Sequence, residues 1–283
     1  MPTSKDADEL DAFVRMLSNR LTKVQDRLWT TGSAELVSYP IDGHSNCADV
    51  ELRSYWFEHR NRCILTVVKR FPPHGPILDA GGGNGVVSLA LNKAGFFTIV
   101  LEPGGGAMMA HLRGLPVIQT TLSGASIANG VVPAIGMFDV IEHVDDDRAV
   151  LAELRRILRQ DGWLYLAVPA FPWLWSSEDA DGGHFRRYTI NSLSKKVSES
   201  GFKVAFATYM FAPLVLPILL LRTVPSYLGM VRSPSRDIAA DHTLPPGIIG
   251  RSINRALAAE ETRLVSGKRI IFGTSVLLAA QRV

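Results

Sequence analysis

The feature that most constrains this chain is a short apolar run that leads into a cluster of glycines. Residues 77–85 read Ile-Leu-Asp-Ala-Gly-Gly-Gly-Asn-Gly, and the apolar segment 86–91 follows directly. Glycines permit a tight turn and let a ligand come close to the backbone, where a Cβ atom would collide. The start of a helix adds free N–H groups that point at the ligand. The segment therefore predicts a strand, a ligand-binding loop and a helix.

The spacing of these glycines separates several classes of nucleotide-binding protein. A P-loop ends in Gly-Lys-Ser or Gly-Lys-Thr, and neither Lys-Ser nor Lys-Thr follows here. The dinucleotide fingerprint Gly-x-Gly-x-x-Gly would need glycine at position 86, where this chain has Val86. Glycine instead occupies every second position, at Gly81, Gly83 and Gly85. A structural glycine turn in another α/β protein stays open as an alternative.

An acidic residue ends the next apolar run. The segment Thr-Ile-Val-Leu at 98–101 is followed by Glu102. A carboxylate at the end of a second strand can accept hydrogen bonds from both ribose hydroxyls of an adenosine cofactor. The alternative is a solvated acid that caps the next helix. A glycine loop followed by an acid at this distance is more specific than either feature alone.

Short apolar runs alternate with helical patterns from residue 76 onward. The predicted strands are 77–80, 98–102, 117–120, 136–141, 163–168, 203–210 and 270–280. The predicted helices are 51–70, 86–94, 106–113, 147–159, 190–200 and 248–264. Such alternation is typical of βα units on a parallel sheet. We therefore predict an α/β fold, a Rossmann-like sheet of seven mostly parallel strands.

Two regions flank or interrupt this alternation. Apolar residues at helical spacing predict an amphipathic helix over 6–29, and turn-forming residues predict an irregular stretch over 32–49. The chain is accordingly divided into an N-terminal helical extension at 1–50 and a main domain at 51–283. Residues 211–267 form a helical insertion or lid before the last strand.

These motifs together resemble the class I S-adenosylmethionine-dependent methyltransferases, in particular a type 11-like bacterial subgroup. The segment Met-Phe-Asp-Val-Ile-Glu-His-Val at 137–144 is similar to the family's fourth-strand motif, and the resemblance extends over roughly 56–283. It implies S-adenosyl-L-methionine as the cofactor and a methyltransferase domain at 51–283. The cofactor contacts that it implies are Asp79, Ala80, Gly81, Gly83, Gly85, Glu102, Pro103, Asp139 and Val140. Where relatives often carry an acid for the adenine amino group, this chain has Gln-Thr-Thr at 119–121.

The segment after the fifth strand is more distinctive. It contains Trp-Leu-Trp-Ser-Ser-Glu-Asp at 173–179 and Gly-His-Phe-Arg-Arg-Tyr at 183–188, and resembles bacterial methyltransferases found among surface-polysaccharide or lipid-linked genes. Ligands bind at the carboxyl ends of strands in open α/β sheets, so this region is expected to contact the acceptor. The candidate acceptor contacts are Trp56, Arg60, Trp175, Arg187 and Tyr188. Alternatively, the aromatic residues pack a lid, and the arginines pair with Glu178 or Asp179.

Methyl transfer from a sulfonium is a displacement in which positioning and exclusion of water supply most of the rate. A hydroxyl acceptor also benefits from a general base, and His143 and His184 are the candidate catalytic residues. Each could instead be merely exposed or hydrogen-bonded. The expected function is methyl transfer, at oxygen, to a small-molecule, saccharide or lipid-linked acceptor. The alternatives are an NAD(P)-dependent oxidoreductase and a non-catalytic S-adenosylmethionine-binding protein.

Charge and cysteine content exclude some partners. The net charge is +3 without a run of Lys or Arg, so we expect no nucleic-acid partner. The two cysteines form no Cys-x-x-Cys pair, and although His44 lies near Cys47 we expect no metal site. Residues 1–10 lack the pattern of a secretory signal, which predicts a cytoplasmic protein. The sequence does not indicate the oligomeric state.

One uncharged apolar stretch, 204–221, has the length of a short membrane span but contains Pro213 and Pro217. Because its first half is needed to complete the sheet, we divide it into a strand and a helix. The alternative is peripheral membrane contact through 211–236, where arginines at 222, 232 and 236 suit anionic headgroups.

Overall fold

A nine-stranded sheet forms the centre of the computed structural model, which describes residues 4–32, 51, 53–230 and 243–283. In chain order the strands are β1 (Thr22–Gln25), β2 (Leu28–Thr30), β3 (Ile77–Ala80), β4 (Thr98–Leu101), β5 (Val117–Gln119), β6 (Val132–Phe138), β7 (Leu158–Pro169), β8 (Phe202–Met210) and β9 (Ser275–Arg282). Their spatial order is β1-β2-β5-β4-β3-β6-β7-β9-β8. The pairs from β2 to β7 are parallel, while β1 and β9 run antiparallel to their neighbours.

Helices connect the strands and cover the sheet. They are α1 (Ser4–Leu17), α2 (Tyr55–Arg70), α3 (Val86–Lys93), α4 (Gly106–Leu112), α5 (Asp147–Ile157), α6 (Ser177–Asp181), α7 (Ile190–Glu199), α8 (Val215–Ile218), α9 (Val224–Tyr227) and α10 (Ile248–Val265). Ser54 begins α2 because its hydroxyl accepts hydrogen bonds from the N–H groups of Trp56 and Phe57. The helix ends before Pro72, which cannot continue it.

The central strands β3, β4 and β6 are buried along their whole length. Strands with both faces covered read as continuous apolar runs, which is why they could be located from the sequence. The chain runs from β3 outward to β4 and β5, and then returns to place β6 on the other side of β3. This reversal of strand order opens a crevice at the carboxyl ends of β3 and β6, where α/β proteins bind ligands.

The predicted helix over 6–29 is wrong beyond Leu17. The chain instead turns and forms the β1–β2 hairpin, in which β2 pairs in parallel with β5 at the sheet edge. Leu28 and Trp29 are buried by this pairing, whereas Val24 is exposed. The helical spacing of these apolar residues therefore does not correspond to one buried helix face. The hairpin raises the strand number from the predicted seven to nine. The predicted irregular stretch 32–49 lies outside the described residues beyond Gly32.

Several strands also begin at residues other than the predicted ones. Strand β6 begins at Val132 and β7 at Leu158, because these two residues pair with each other at the start of the ladder. The last strand begins at Ser275, which pairs with Met210 at the end of β8, and not at residue 270. The central βα units agree with the prediction to within a few residues. The Rossmann-like α/β fold is confirmed.

The predicted helical insertion between β8 and β9 is present. It comprises a 3₁₀ turn at Ala212–Leu214, α8, a π-helical turn at Leu219–Thr223, α9 and α10. The buried carboxylate of Glu260 on α10 accepts hydrogen bonds from the N–H groups of Phe211 and Ala212 and contacts His59 of α2 at 2.9 Å. Within the described part of the chain, no helix has both the length and the apolar character to cross a membrane. The division at residue 50 stays a prediction.

Candidate functional site

A cavity of about 950 Å³ lies at the carboxyl ends of β3, β4, β5 and β6. Its walls come from the residues that follow these strands, from the start of α2, from α5 and from the loop before α7. Predicted site residues that line the cavity are Trp56, Arg60, Asp79, Ala80, Gly81, Gly83, Glu102, Pro103, Asp139, Val140, His143 and His184. The fold therefore brings most of the predicted site residues to one place.

The glycine loop forms the floor of this cavity. Gly81 has a φ of +74°, and a Cβ atom there would lie 2.7 Å from Cγ2 of Val140. Its N–H donates to the carbonyl of Leu101 at 2.7 Å, which fixes the loop to the end of β4. Glycine is thus required at position 81 by both backbone conformation and space.

Asp79 lies beneath the loop at the end of β3. Its carboxylate is buried and accepts a 2.7 Å hydrogen bond from the hydroxyl of Ser88 at the start of α3. Burial raises the pKa of Asp79 to about 6, against the opposing effect of the Ser88 hydrogen bond. The side chain thus connects the strand to the helix and adds a titratable group to the cavity wall.

Glu102 follows β4 and is 4% exposed. One carboxylate oxygen accepts the N–H of Gly83 at 2.9 Å, and the other accepts the N–H of Gly104 at 2.7 Å. These two bonds hold the carboxylate against the glycine loop, and its side chain lines the cavity. The carboxylates of Asp79 and Glu102 give this half of the cavity an acidic lining that suits a cationic group.

The opposite wall is built by Asp139 and α2. Asp139 adopts a φ of +57°, which is rare for a residue other than glycine and marks a constrained position after β6. Its carboxylate accepts a short hydrogen bond from Nη1 of Arg60. The Arg60 guanidinium lies 5.1 Å from the ring centroid of Trp56 and 4.9 Å from that of Phe57. An ion pair backed by aromatic rings thus closes this side of the cavity.

Two histidines meet at the far end of the cavity. The rings of His143 and His184 are 4.6 Å apart and nearly perpendicular. Burial, assisted by the neighbouring His184, lowers the pKa of His143 to about 4, so this ring is neutral at neutral pH. Nδ1 of His184 lies 2.9 Å from Oδ1 of Asp179, which leaves Nε2 of His184 as its other ring nitrogen for a ligand.

Asp179 is the buried centre of this arrangement. Besides His184 it binds Arg187, whose Nε and Nη2 donate to the two carboxylate oxygens at 2.7 and 2.9 Å. The N–H of Ser176 donates to it as well, at 2.9 Å. Burial acts to raise the pKa of Asp179, but the hydrogen bonds from His184 and Arg187 outweigh it and lower the pKa. An ionised carboxylate therefore orients the His184 imidazole.

The structure corrects four of the sequence predictions. Gly85 does not line the cavity; it begins α3 with a φ of +77°, and a Cβ atom would lie 2.4 Å from Leu115. Arg187 is engaged by Asp179, and the Tyr188 hydroxyl donates to Asp147 at 2.9 Å from a buried position. Trp175 is half-buried and also absent from the lining. All four residues lie outside the cavity lining, and the acceptor contacts of the last three stay predictions.

Sequence reasoning missed part of the lining. Residues 120–123 follow β5 and line the cavity, a position that the end of a predicted strand could have indicated. Phe57 and Phe185 add aromatic surface beside residues that were predicted. Glu142 is buried next to the histidines, and burial, followed by the charge of Asp139, raises its pKa well above the usual range. Its motif was recognised, but burial cannot be read from a sequence.

Comparison with known proteins agrees with this geometry. The family model of a methyltransferase domain matches residues 51–205. A Mycobacterium tuberculosis (strain H37Rv) protein named as a probable S-adenosylmethionine-dependent methyltransferase is 24% identical over 171 residues, covering 57% of this chain and 61% of that protein. The chain therefore matches less than two thirds of that relative's length.

Solved structures show a shared fold. A methyltransferase of Thermotoga maritima is similar with a TM-score of 0.52 at 18% identity, covering 86% of this chain and 100% of that one. Phosphoethanolamine N-methyltransferase 2 of Haemonchus contortus, in complex with S-adenosyl-L-methionine, has a TM-score of 0.55 at 13% identity. That match covers 89% of this chain and 61% of the other. Both likenesses concern the architecture, since the identities are low.

Proposed function

Because this chain belongs to the class I S-adenosylmethionine-dependent methyltransferases, with the family's methyltransferase domain at residues 51–205, we propose that it methylates a hydroxyl oxygen. The cofactor is S-adenosyl-L-methionine, which supplies the methyl group as part of a sulfonium. Membership of this family argues against the oxidoreductase alternative. The residues proposed to hold the cofactor are Asp79, Ala80, Gly81, Gly83, Glu102, Pro103, Asp139 and Val140.

The observation that carries the choice of oxygen is the contact between His184 and Asp179. A hydroxyl loses its proton as it attacks the methyl group, so a base beside the acceptor lowers the barrier. Nδ1 of His184 is held by the Asp179 carboxylate at 2.9 Å, and the ring lines the cavity. A base that is itself oriented by a third group is the arrangement used to activate oxygen nucleophiles. We assign His184 as the general base.

His143 has a different role in this proposal. Its low pKa makes it a weak base at neutral pH, but it stays uncharged and lies against the His184 ring. A neutral neighbour positions the acceptor without opposing the charge that develops on His184. We therefore assign His143 as a second catalytic contact that orients the acceptor hydroxyl.

The proposed acceptor is a small molecule, a saccharide or a lipid-linked compound. The support is the wall formed by Trp56, Phe57 and Phe185, since aromatic surfaces pack against sugar rings and alkyl chains. Arg60 lies beside Trp56 and Phe57, where its guanidinium pairs with Asp139. The Haemonchus contortus enzyme is named for methylation at nitrogen, so the case for oxygen rests on the histidines of this chain. A cytoplasmic location stays a prediction.

The experiment is to incubate the protein with methyl-labelled S-adenosylmethionine and separate aqueous and organic-solvent extracts of the source cells. We expect label in a product whose methyl group resists alkali, as an ether does, and no product with His184→Gln above background. His74→Gln, at an exposed histidine outside the cavity, is the control and should retain activity. Label in an alkali-labile ester or on nitrogen would contradict the proposal.

A further inference from the structure

The helical insertion exposes an unusual number of large apolar side chains. We define the apolar ridge as those that segment 212–230 turns outward, and each is between 39% and 69% exposed. They are Leu216, Leu220, Leu221, Val224, Tyr227, Leu228 and Met230. Leu214, Val215 and Thr223 of the same segment are buried. The segment is thus apolar on its outer face as well as its inner one, which marks an interaction surface.

Other exposed apolar residues lie on elements that contact segment 212–230. Ile248 and Ile249 at the start of α10 are 74% and 65% exposed, and α10 packs against the 3₁₀ turn at Ala212–Leu214. Trp173 is 42% exposed, and the carbonyl of the next residue, Leu174, accepts the hydroxyl of Thr223 at 3.1 Å. Trp and Tyr are the side chains enriched where protein meets the headgroup region of a bilayer.

The segment that carries the apolar ridge contains no acid. Residues 212–230 include no Asp or Glu, and their one charged residue, Arg222, pairs with Glu178. On α10, Arg251 and Arg255 are exposed one turn apart, and neither forms an ion pair with the residues that the structure describes. An exposed apolar segment, together with exposed cations on the helix that packs against its first turn, complements an anionic lipid surface.

We propose that the apolar ridge docks on an anionic lipid bilayer, with Arg251 and Arg255 contacting headgroups at its border. A second copy of the chain is a poorer occupant, since residues 212–230 of an identical surface offer these cations no Asp or Glu. The contact is peripheral, because a segment broken into short helices lies along a surface. Docking does not depend on which acceptor atom is methylated.

Segment 212–230, which carries the apolar ridge, is bonded to the residues just before Asp179 and His184. The N–H of Ser177 donates to the hydroxyl of Ser226 at 2.9 Å, and Arg222 pairs with Glu178 at 2.5 Å. Glu178 adjoins Asp179, the residue that orients His184. A protein docked through the apolar ridge therefore holds the loop with Asp179 and His184 near the bilayer, where a lipid-linked acceptor would be found.

The test is co-sedimentation of the full chain with phosphatidylcholine vesicles, with and without about 30 mol% phosphatidylglycerol. We expect binding that requires the anionic lipid and weakens with salt. Leu220→Glu with Leu228→Glu should lower the partition coefficient at least about tenfold, and Arg251→Gln with Arg255→Gln about tenfold or more. Met108→Glu with Leu112→Glu, also exposed but on α4, is the matched control and should bind like the parent.

Calorimetry with S-adenosylmethionine separates this proposal from the proposed function, since ridge variants should bind the cofactor normally. Absence of vesicle binding, equal binding to neutral vesicles, or unchanged binding of the Leu220→Glu/Leu228→Glu variant would each overturn the docking. So would a dimer that forms without lipid and dissociates in that variant, since the apolar ridge would then be a protein interface. Absence of methyl transfer by a parent protein that docks on vesicles would count against the enzymatic proposal alone.

Discussion

The carboxylate of Glu102 accepts the backbone N–H of Gly83 at 2.9 Å, and this bond joins the residue after β4 to the glycine loop after β3. Its second oxygen accepts the N–H of Gly104 at 2.7 Å. The acid that we propose for the ribose therefore also holds the loop that we propose for the cofactor. Loss of this side chain is expected to affect both binding and loop geometry.

Replacement of Glu102 by alanine should weaken S-adenosylmethionine binding by about 1.5–3 kcal/mol, the usual range for a hydrogen bond to a charged group. Glu102→Gln should lose less, because the amide oxygen still accepts one bond. Isothermal calorimetry measures both affinities. Glu199→Ala, at a partly exposed acid on α7, is the control and should bind like the parent. Parental affinity in the Glu102→Ala variant would show that the carboxylate takes no part.

Gly81→Val should abolish detectable cofactor binding. A β-branched residue at a φ of +74° is strained, and its Cβ atom would lie 2.7 Å from Cγ2 of Val140 in the cavity wall. Gly95→Val is the matched control, because Gly95 has a φ of +93° and no atom within 4 Å of the added Cβ. Both variants should lose thermal stability, but only the first should lose affinity in calorimetry. Equal affinity losses would mean that strain alone is responsible.

The fold could be predicted where local pattern and burial coincide. Strand β3 and the helix α3 that follows it were located almost to the residue, since a parallel strand with two covered faces is a continuous apolar run. The β1–β2 hairpin could not be predicted in this way. Leu28 is buried because β2 pairs with β5, a contact between distant parts of the chain that period-based reasoning does not see.

The same distinction applies to the candidate site: residues in local motifs could be located from the sequence, whereas contacts between side chains could not. Gly81 and Glu102 were located from local motifs, and both line the cavity. Arg187 was assigned to the acceptor because of its residue type, but the position of Asp179 decides where its guanidinium lies. A sequence gives the inventory of charged groups in a loop, whereas the pairing among them depends on packing.

The free energy of unfolding should depend on pH through Asp79. Its pKa in the folded protein is raised to about 6. The contribution of Asp79 to the free energy of unfolding is therefore largest below pH 4 and is lost as the pH rises through 6. Asp79→Asn removes this titration while the amide oxygen can still accept from Ser88. We therefore expect Asp79→Asn to gain stability relative to the parent by about 3 kcal/mol between pH 4 and pH 7.

Urea unfolding at several pH values measures this difference, and other titrating groups cancel because both proteins contain them. The matched control is Asp145→Asn, an acid that is also at the cavity but is 85% exposed in its side chain. Its stability should run parallel to that of the parent. If the free energy of unfolding of Asp79→Asn also ran parallel to that of the parent, the pKa of Asp79 would not be raised in the folded protein.

The last prediction concerns the connection from Arg187 through Asp179 to His184. If His184 is the base, His184→Gln should lower kcat by roughly 10²–10⁴-fold while the affinity for S-adenosylmethionine stays near that of the parent. Asp179→Asn keeps the ring but weakens its orientation, so its loss should be smaller and fall on kcat more than on KM. Arg187→Lys should resemble Asp179→Asn, because a lysine cannot donate to both carboxylate oxygens in the same geometry. Parallel losses of cofactor affinity and activity would instead make this loop a cofactor lid, and unchanged kinetics in His184→Gln would leave His143 as the base.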